Sequence, residues 1–263
     1  MIEVRVDAVG FIAPGLCGWE QTRAVLRGEA AHEPAELPPY KPGLLPPNER
    51  RRAPPAVCQA FRVAEDAFSH SALPASQCTA IFTSSEADTN VVYRINKALA
   101  TATRVVSPID FHNTVHNAAA GYWSIAVSSH QGSNSICAYD WSFAAGLLEA
   151  ATLCAVEERP TLLVAYDIPV PDILKSRHPI SIPAGTALVL LPAQKDESRS
   201  QLRITCTGDA PQTQMSNPQL EALRLGNPAA RSLPLLELLA LGKGGHVGIE
   251  NGATNLLIEV SQP

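Results

Sequence analysis

Charge is scarce in this chain: Asp, Glu, Lys and Arg make up 17% of its 263 residues, against 46% hydrophobic residues. That balance excludes extended disorder, which needs high charge and little apolar sequence. No basic surplus exists either. With a formal net charge of −5 the chain cannot neutralise a run of phosphates, which argues against nucleic acid and anionic membranes as partners. Cysteine is present but unorganised. Cys17, Cys58, Cys78, Cys137, Cys154 and Cys206 include no CxxC pair, so metal-site spacing and disulfide-scaffold density are both absent. No apolar run reaches the roughly 18 residues that span a membrane. The start, Ile2-Glu3-Val4-Arg5-Val6-Asp7, alternates like a strand and lacks the basic and apolar regions of a signal peptide. The expectation is a cytoplasmic protein with reduced thiols.

What is there alternates between strand-like and helix-like segments. Residues 2–11 read as a first strand, and the proline-rich stretch 33–55 as a loop or extended arm ending in Glu49-Arg50-Arg51-Arg52. Apolar residues at helical spacing (Val57, Phe61, Ala64, Phe68) predict a helix over 56–71. Further strands are expected at 78–84, 133–138, 160–166, 185–191, 202–207 and 255–260, and helices at 89–101, 113–127, 141–157 and around 234–241. A charged linker falls at 194–200. Strands alternating with helices predict an α/β layered fold.

Chemistry concentrates in two places. In the first, Ser107 to Ser124, His112 and His116 stand four apart, a metal-ligand spacing if one helix holds both. No carboxylate lies between them, and a helix start capped by His and Asn side chains accounts for more of the pattern, with Ala118-Ala119-Ala120-Gly121 permitting close helix packing. The second is the strand–turn–helix at 132–143. Nucleophiles sit at such turns because the helix N-terminus offers N–H groups to an oxyanion. The residue at this turn is Asp140, a poor acyl acceptor, and either Asp140 or Ser142 suits a helix cap. Cys137 reads as a packed strand residue more than as a reactive thiolate. Arg50, Arg51 and Arg52 suit an anionic carrier group equally with a solvated turn in which one arginine pairs with Glu49 or Asp66. Asp167, before Ile168-Pro169, reads as turn chemistry at a strand end more readily than as a site residue.

Taken in order, Ser107-Pro108, Asn117-Ala118-Ala119-Ala120-Gly121, Gly132-Ser133-Asn134-Ser135-Ile136 and the helix from Ser142 resemble the N-terminal half of a β-ketoacyl-acyl-carrier-protein synthase. The likeness is closer to a short branch described as chain-length factors of aryl polyene pathways. It is carried by Pro46-Pro47 with Glu49-Arg50-Arg51-Arg52, by 111–117, by Ala120 to Ile125, by Ser142-Phe143-Ala144-Ala145 and by Tyr166-Asp167. It spans roughly residues 1–190, with Arg231 to Leu236 in the tail. The resemblance implies a truncated thiolase-like layered fold, half of the αβαβα arrangement, with a mixed central sheet. It divides the chain into a ketosynthase-like N-terminal domain, 1–193, and an extension, 194–263, completing the same domain.

The departures from the family pattern direct the functional expectation. Aligned on the buried helix with a one-residue gap, Asp140 occupies the position of the synthase nucleophile. After residue 130 only His178 and His246 remain, neither in a recognisable synthase context. Condensation by this chain alone is therefore not expected, and no metal or other cofactor is implied. The resemblance implies instead a chain-length factor heterodimerised with an active synthase that receives acyl groups from an acyl carrier protein. Ile109, Asp110, Phe111, His112, Thr114 and Val115 would line or cap the partner's tunnel, and Arg50, Arg51 and Arg52 would contact the carrier. The competing readings are an acyltransferase or thioesterase-like enzyme using Cys137 with His112 or His116, and a stand-alone carrier- or acyl-binding module.

Overall fold

A computed structural model describes residues 1–194, 196–208 and 210–263. Lys195, within the charged linker, lies outside the described residues. The strands are β1 (Ile2–Ala13), β2 (Leu16–Cys17), β3 (Thr79–Ser84), β4 (Ser133–Cys137), β5 (Thr161–Asp167), β6 (Ala184–Pro192), β7 (Gln201–Thr207), β8 (Gly245–Asn251) and β9 (Thr254–Ser261). The helices are α1 (Trp19–Leu26), α2 (Pro47–Arg52), α3 (Pro55–Phe68), α4 (Thr89–Leu99), α5 (Pro108–His112), α6 (Ala118–Val127), α7 (Ser142–Glu157), α8 (Pro218–Gly226) and α9 (Leu233–Leu241).

Among the described residues all nine strands join one mixed sheet in the order β4-β3-β5-β6-β1-β7-β9-β8, with β2 paired to β1. β4, β3 and β5 are parallel and the remaining pairs antiparallel. Because successive strand residues point to opposite faces, the two apolar sets separate cleanly. Ile81, Leu163 and Leu188 pack on one side against Phe143 and Leu147 of α7 and Leu233 to Leu236 of α9. Phe82, Leu162, Val164 and Val189 pack on the other against Phe61 of α3 and Trp123 of α6. Helices thus cover both faces, and the fully buried runs of β3, β5 and β6 follow from that coverage.

Two glycines mark where helices touch the sheet. A Cβ on Gly10 would lie 2.4 Å from the Val63 carbonyl oxygen, so α3 crosses β1 at backbone contact. One on Gly146 would lie 2.6 Å from the Thr83 methyl, so α7 seats as closely on β3. Trp123 meets Phe61 edge-on at 5.3 Å and stacks on Phe68 at 5.8 Å, which fixes α6 over α3.

Several boundaries differ from the sequence expectation. The predicted helix at 113–127 is shorter than expected: α6 starts only at Ala118, residues 113–117 form a turn, and the separate short helix α5, ending at His112, stands where a turn was expected. His112 and His116 therefore do not share a helical face. The proline-rich arm contains the short helix α2, started by Pro46-Pro47. β8 and α8 were not expected. Glycines interrupt the apolar pattern of β8, whereas α8 carries a readable start in Asn217-Pro218, with the Asn217 side chain accepting from the Gln219 N–H.

Candidate functional site

The parallel strands β4, β3 and β5 end side by side at Cys137, Ser84 and Asp167, where α7 begins. Such carboxyl ends are where open α/β sheets gather ligands. Between β4 and α7 the chain makes a sharp turn whose strained residue is Tyr139, with φ 53°. A left-handed backbone costs a non-glycine residue about 1–2 kcal/mol, so its surroundings must hold it there. Ser142 Oγ donates to the Tyr139 carbonyl (2.7 Å) and accepts from the Ala138 N–H (3.1 Å). The Tyr139 hydroxyl donates to the Arg177 carbonyl at 2.7 Å, and its ring stacks on His178 at 3.9 Å.

Asp140 does not cap α7. Its Oδ1 lies 3.4 Å from His178 Nε2, while Glu86 Oε2 lies 3.5 Å from His178 Nδ1. His178 is buried between the two carboxylates. Beneath them Asp167 is also buried, its Oδ1 accepting from the Ser85 N–H (2.9 Å) and hydroxyl (2.6 Å), its Oδ2 unpartnered. Burial pushes the Asp167 carboxyl up to about 7, with Glu86 and Asp140 adding to the rise and the Ser85 hydrogen bonds opposing it. Sequence reasoning favoured a turn role for Asp167 and found no context for His178. The structure places both beside Asp140 and Glu86, because a loop of ten residues carries His178 back to the turn before α7. No local pattern signals that return.

Cys137 departs from its expected place as well: it ends β4 exposed, with Sγ 3.5 Å from His116 Nδ1. Burial of the sulfur and the nearby charges of Asp167 and Glu86 raise its thiol above the ordinary cysteine range. A thiol in an electronegative setting is a poor nucleophile, since reactive cysteines need cationic neighbours. Among the described residues, no group of three His, Cys, Asp or Glu side chains could hold a metal ion.

The expected tunnel residues lie on α5 and in the turn that follows it. Ile109, Phe111 and Val115 are exposed, Phe111 to 70%. Asp110 is anchored by Arg94 at 2.7 Å, His112 stands edge-on to Tyr122, and Thr114 Oγ donates to the Phe111 carbonyl. Arg50 is turned inward, donating to the Leu45 carbonyl at 2.8 Å. Arg52 pairs with Glu49 at 3.5 Å and Arg51 bonds Asn48, both on the surface. Asp66, the other expected arginine partner, accepts instead from the N–H groups of Phe11 and Trp19.

A family model of the β-ketoacyl synthase N-terminal domain matches residues 19–240. The chain belongs to the β-ketoacyl synthase family. No curated protein matches its sequence. Among solved structures it is similar to a chain of the complex of the ketosynthase ApeO with its chain length factor ApeC from Xenorhabdus doucetiae. Identity there is 21%, with a TM-score of 0.73 over 98% of this chain and 100% of the other. The ishigamide ketosynthase/chain length factor gives 12% identity and a TM-score of 0.72, over 99% of both chains. AntDE:AntF, a type II acyl-carrier protein in complex with its ketosynthase bound to the hexaketide, gives 12% and 0.75, over 100% and 99%. At these identities the likeness establishes a common fold. In this β-ketoacyl synthase fold the turn between β4 and α7 reads Tyr139-Asp140-Trp141.

Proposed function

We propose that this chain is a non-catalytic chain-length factor. It pairs with an active β-ketoacyl-acyl-carrier-protein synthase and sets the length of the acyl chain built by the pair, as in aryl polyene biosynthesis. What supports this reading is the turn between β4 and α7, Tyr139-Asp140-Trp141, which the family resemblance aligns with the synthase nucleophile, beside a Cys137 thiol raised by burial and then by its acidic neighbours. Acyl transfer needs an activated nucleophile there. Two of the similar structures are themselves ketosynthase and chain length factor complexes, and a third includes a carrier protein.

The surface supports a partner. β4 is one edge of the sheet, opposite β8, and pairs only with β3 among the described residues. An unpaired edge strand is a template for association. Helices α4, α5 and α6 and the turn before α6 expose Val92, Tyr93, Ile109, Phe111, Val115 and Ile125, apolar side chains that a partner would cover. Phe111, presented from the short helix α5, is the side chain best placed to enter a neighbour's tunnel and stop a growing chain by its bulk. Arg51 and Arg52, free of the inward ties that hold Arg50, are the residues offered to an anionic carrier group. In a reconstituted pair, Phe111→Ala should lengthen the product by one or more extension units. An unchanged length, with pairing intact, removes Phe111 from the gating role.

A further inference from the structure

Helices α2 and α5 carry the exposed side chains that the proposed function uses, Arg51 and Arg52 on the first and Phe111 on the second. At six and five residues, both are far shorter than the roughly 12–15 that a helix needs to persist unaided in water. Neither buries a side chain of its own. Apolar packing therefore does not hold them, and polar ties must fix Phe111 in place.

Two side-chain ties reach α5. Arg94, on α4, holds Asp110 at 2.7 Å, but both side chains are partly exposed, and such surface pairs contribute little. The second tie is Asn113, the residue after α5, which is buried. Its Nδ2 donates to the Arg52 carbonyl at 3.0 Å and to the Ile109 carbonyl at 2.9 Å, which spends both N–H groups. The Arg52 carbonyl belongs to the last turn of α2, where carbonyls find no donor within their own helix. One amide thus joins the end of α2 to the first turn of α5. Only a side chain with two N–H groups can face two carbonyls, so aspartate, the same shape with acceptors alone, would meet both with repulsion. Because Asn113 is buried, that mismatch costs more than it would at the surface.

We propose that Asn113 is the positioning residue of Phe111, locking α5 onto the end of α2 so that the Phe111 ring and the Arg51–Arg52 surface keep one fixed separation. The consequence for product length rests on the chain-length reading above; the lock itself does not. A ring held at one depth in a neighbour's tunnel gives one dominant product. A loosened α5 presents the ring over a range of depths and gives a spread of lengths.

Two readouts in a reconstituted pair test it: hydrogen exchange of the hydrogen-bonded Phe111 and Thr114 amides, and the distribution of product lengths. Asn113→Asp should speed exchange of those two amides by about tenfold or more, with the amides of β3 and β5 unchanged. It should also spread the product over several lengths while pairing and the total condensation rate hold. A merely structural loss would instead lower pairing and rate together. Arg94→Ala should move both readouts far less. Asn113→Ser, too short to reach both carbonyls, serves if the aspartate variant does not fold. Phe111→Ala separates the two readings: if it leaves product length unchanged, the gating role fails and the exchange alone decides the lock. Unchanged exchange in Asn113→Asp overturns the proposal. So does a single unchanged product length in Asn113→Asp where Phe111→Ala lengthens it, or an Arg94→Ala effect equal to that of Asn113→Asp.

Discussion

Asp167→Asn isolates the energetic consequence of burying a carboxyl group at the elbow. Burial raises the folded-state value from 3.8 to about 7. A carboxyl raised on folding is held protonated by the native chain over a range in which the unfolded chain has already released its proton. Stability from this group is therefore full below about pH 4, falls as pH rises through the window to 7, and levels off above it. Each pH unit of that window is worth about 1.4 kcal/mol, so the total loss reaches at most about 4 kcal/mol. Asparagine keeps an oxygen to accept from the Ser85 N–H and hydroxyl, and it does not titrate. Urea unfolding at intervals from about pH 4.5 to 8 should show native stability falling by a few kcal/mol and the variant's curve staying flatter by that amount. Asp66 and Asp88, also raised by burial, slope the same way in both proteins and cancel in the difference. Parallel curves for the two proteins would refute the reasoning.

Gly146→Ala should lower the melting temperature. The added methyl would sit 2.6 Å from Thr83 and 2.9 Å from Leu163, and overpacking of about 1–3 kcal/mol exceeds the helix-propensity gain of about 1 kcal/mol. Cys137→Ala should leave product formation by a reconstituted pair unchanged, because the thiol is held protonated. Loss of turnover with pairing intact would restore the Cys137 enzyme reading.

The sheet strands and α7 were legible because their apolar runs are long and flanked by turn residues. β8 was not, since Gly245 and Gly248 break its pattern, and it is specified by pairing with β9 and not by local sequence. At the site, the elbow was visible as a strand–turn–helix, but its pairing partners were not. His178 meets Asp140 across 38 positions of sequence and Glu86 across 92, through the loop 168–183, whose path depends on ties to Asn90 and Asn227. The split of α5 from α6 escaped for a related reason. Asn113, buried, donates to the Arg52 carbonyl, so a tertiary contact and not helix propensity decides where α5 stops.

The measurement that tests the central reading most directly is co-expression with the synthase that works alongside this chain, followed by sizing of the purified product. The chain should be poorly soluble alone and recover as a stable one-to-one complex, burying the β4 edge and Phe111 in an interface of about 2,000 Å² or more. A well-behaved monomer that takes up no synthase, alone or co-expressed, would contradict it.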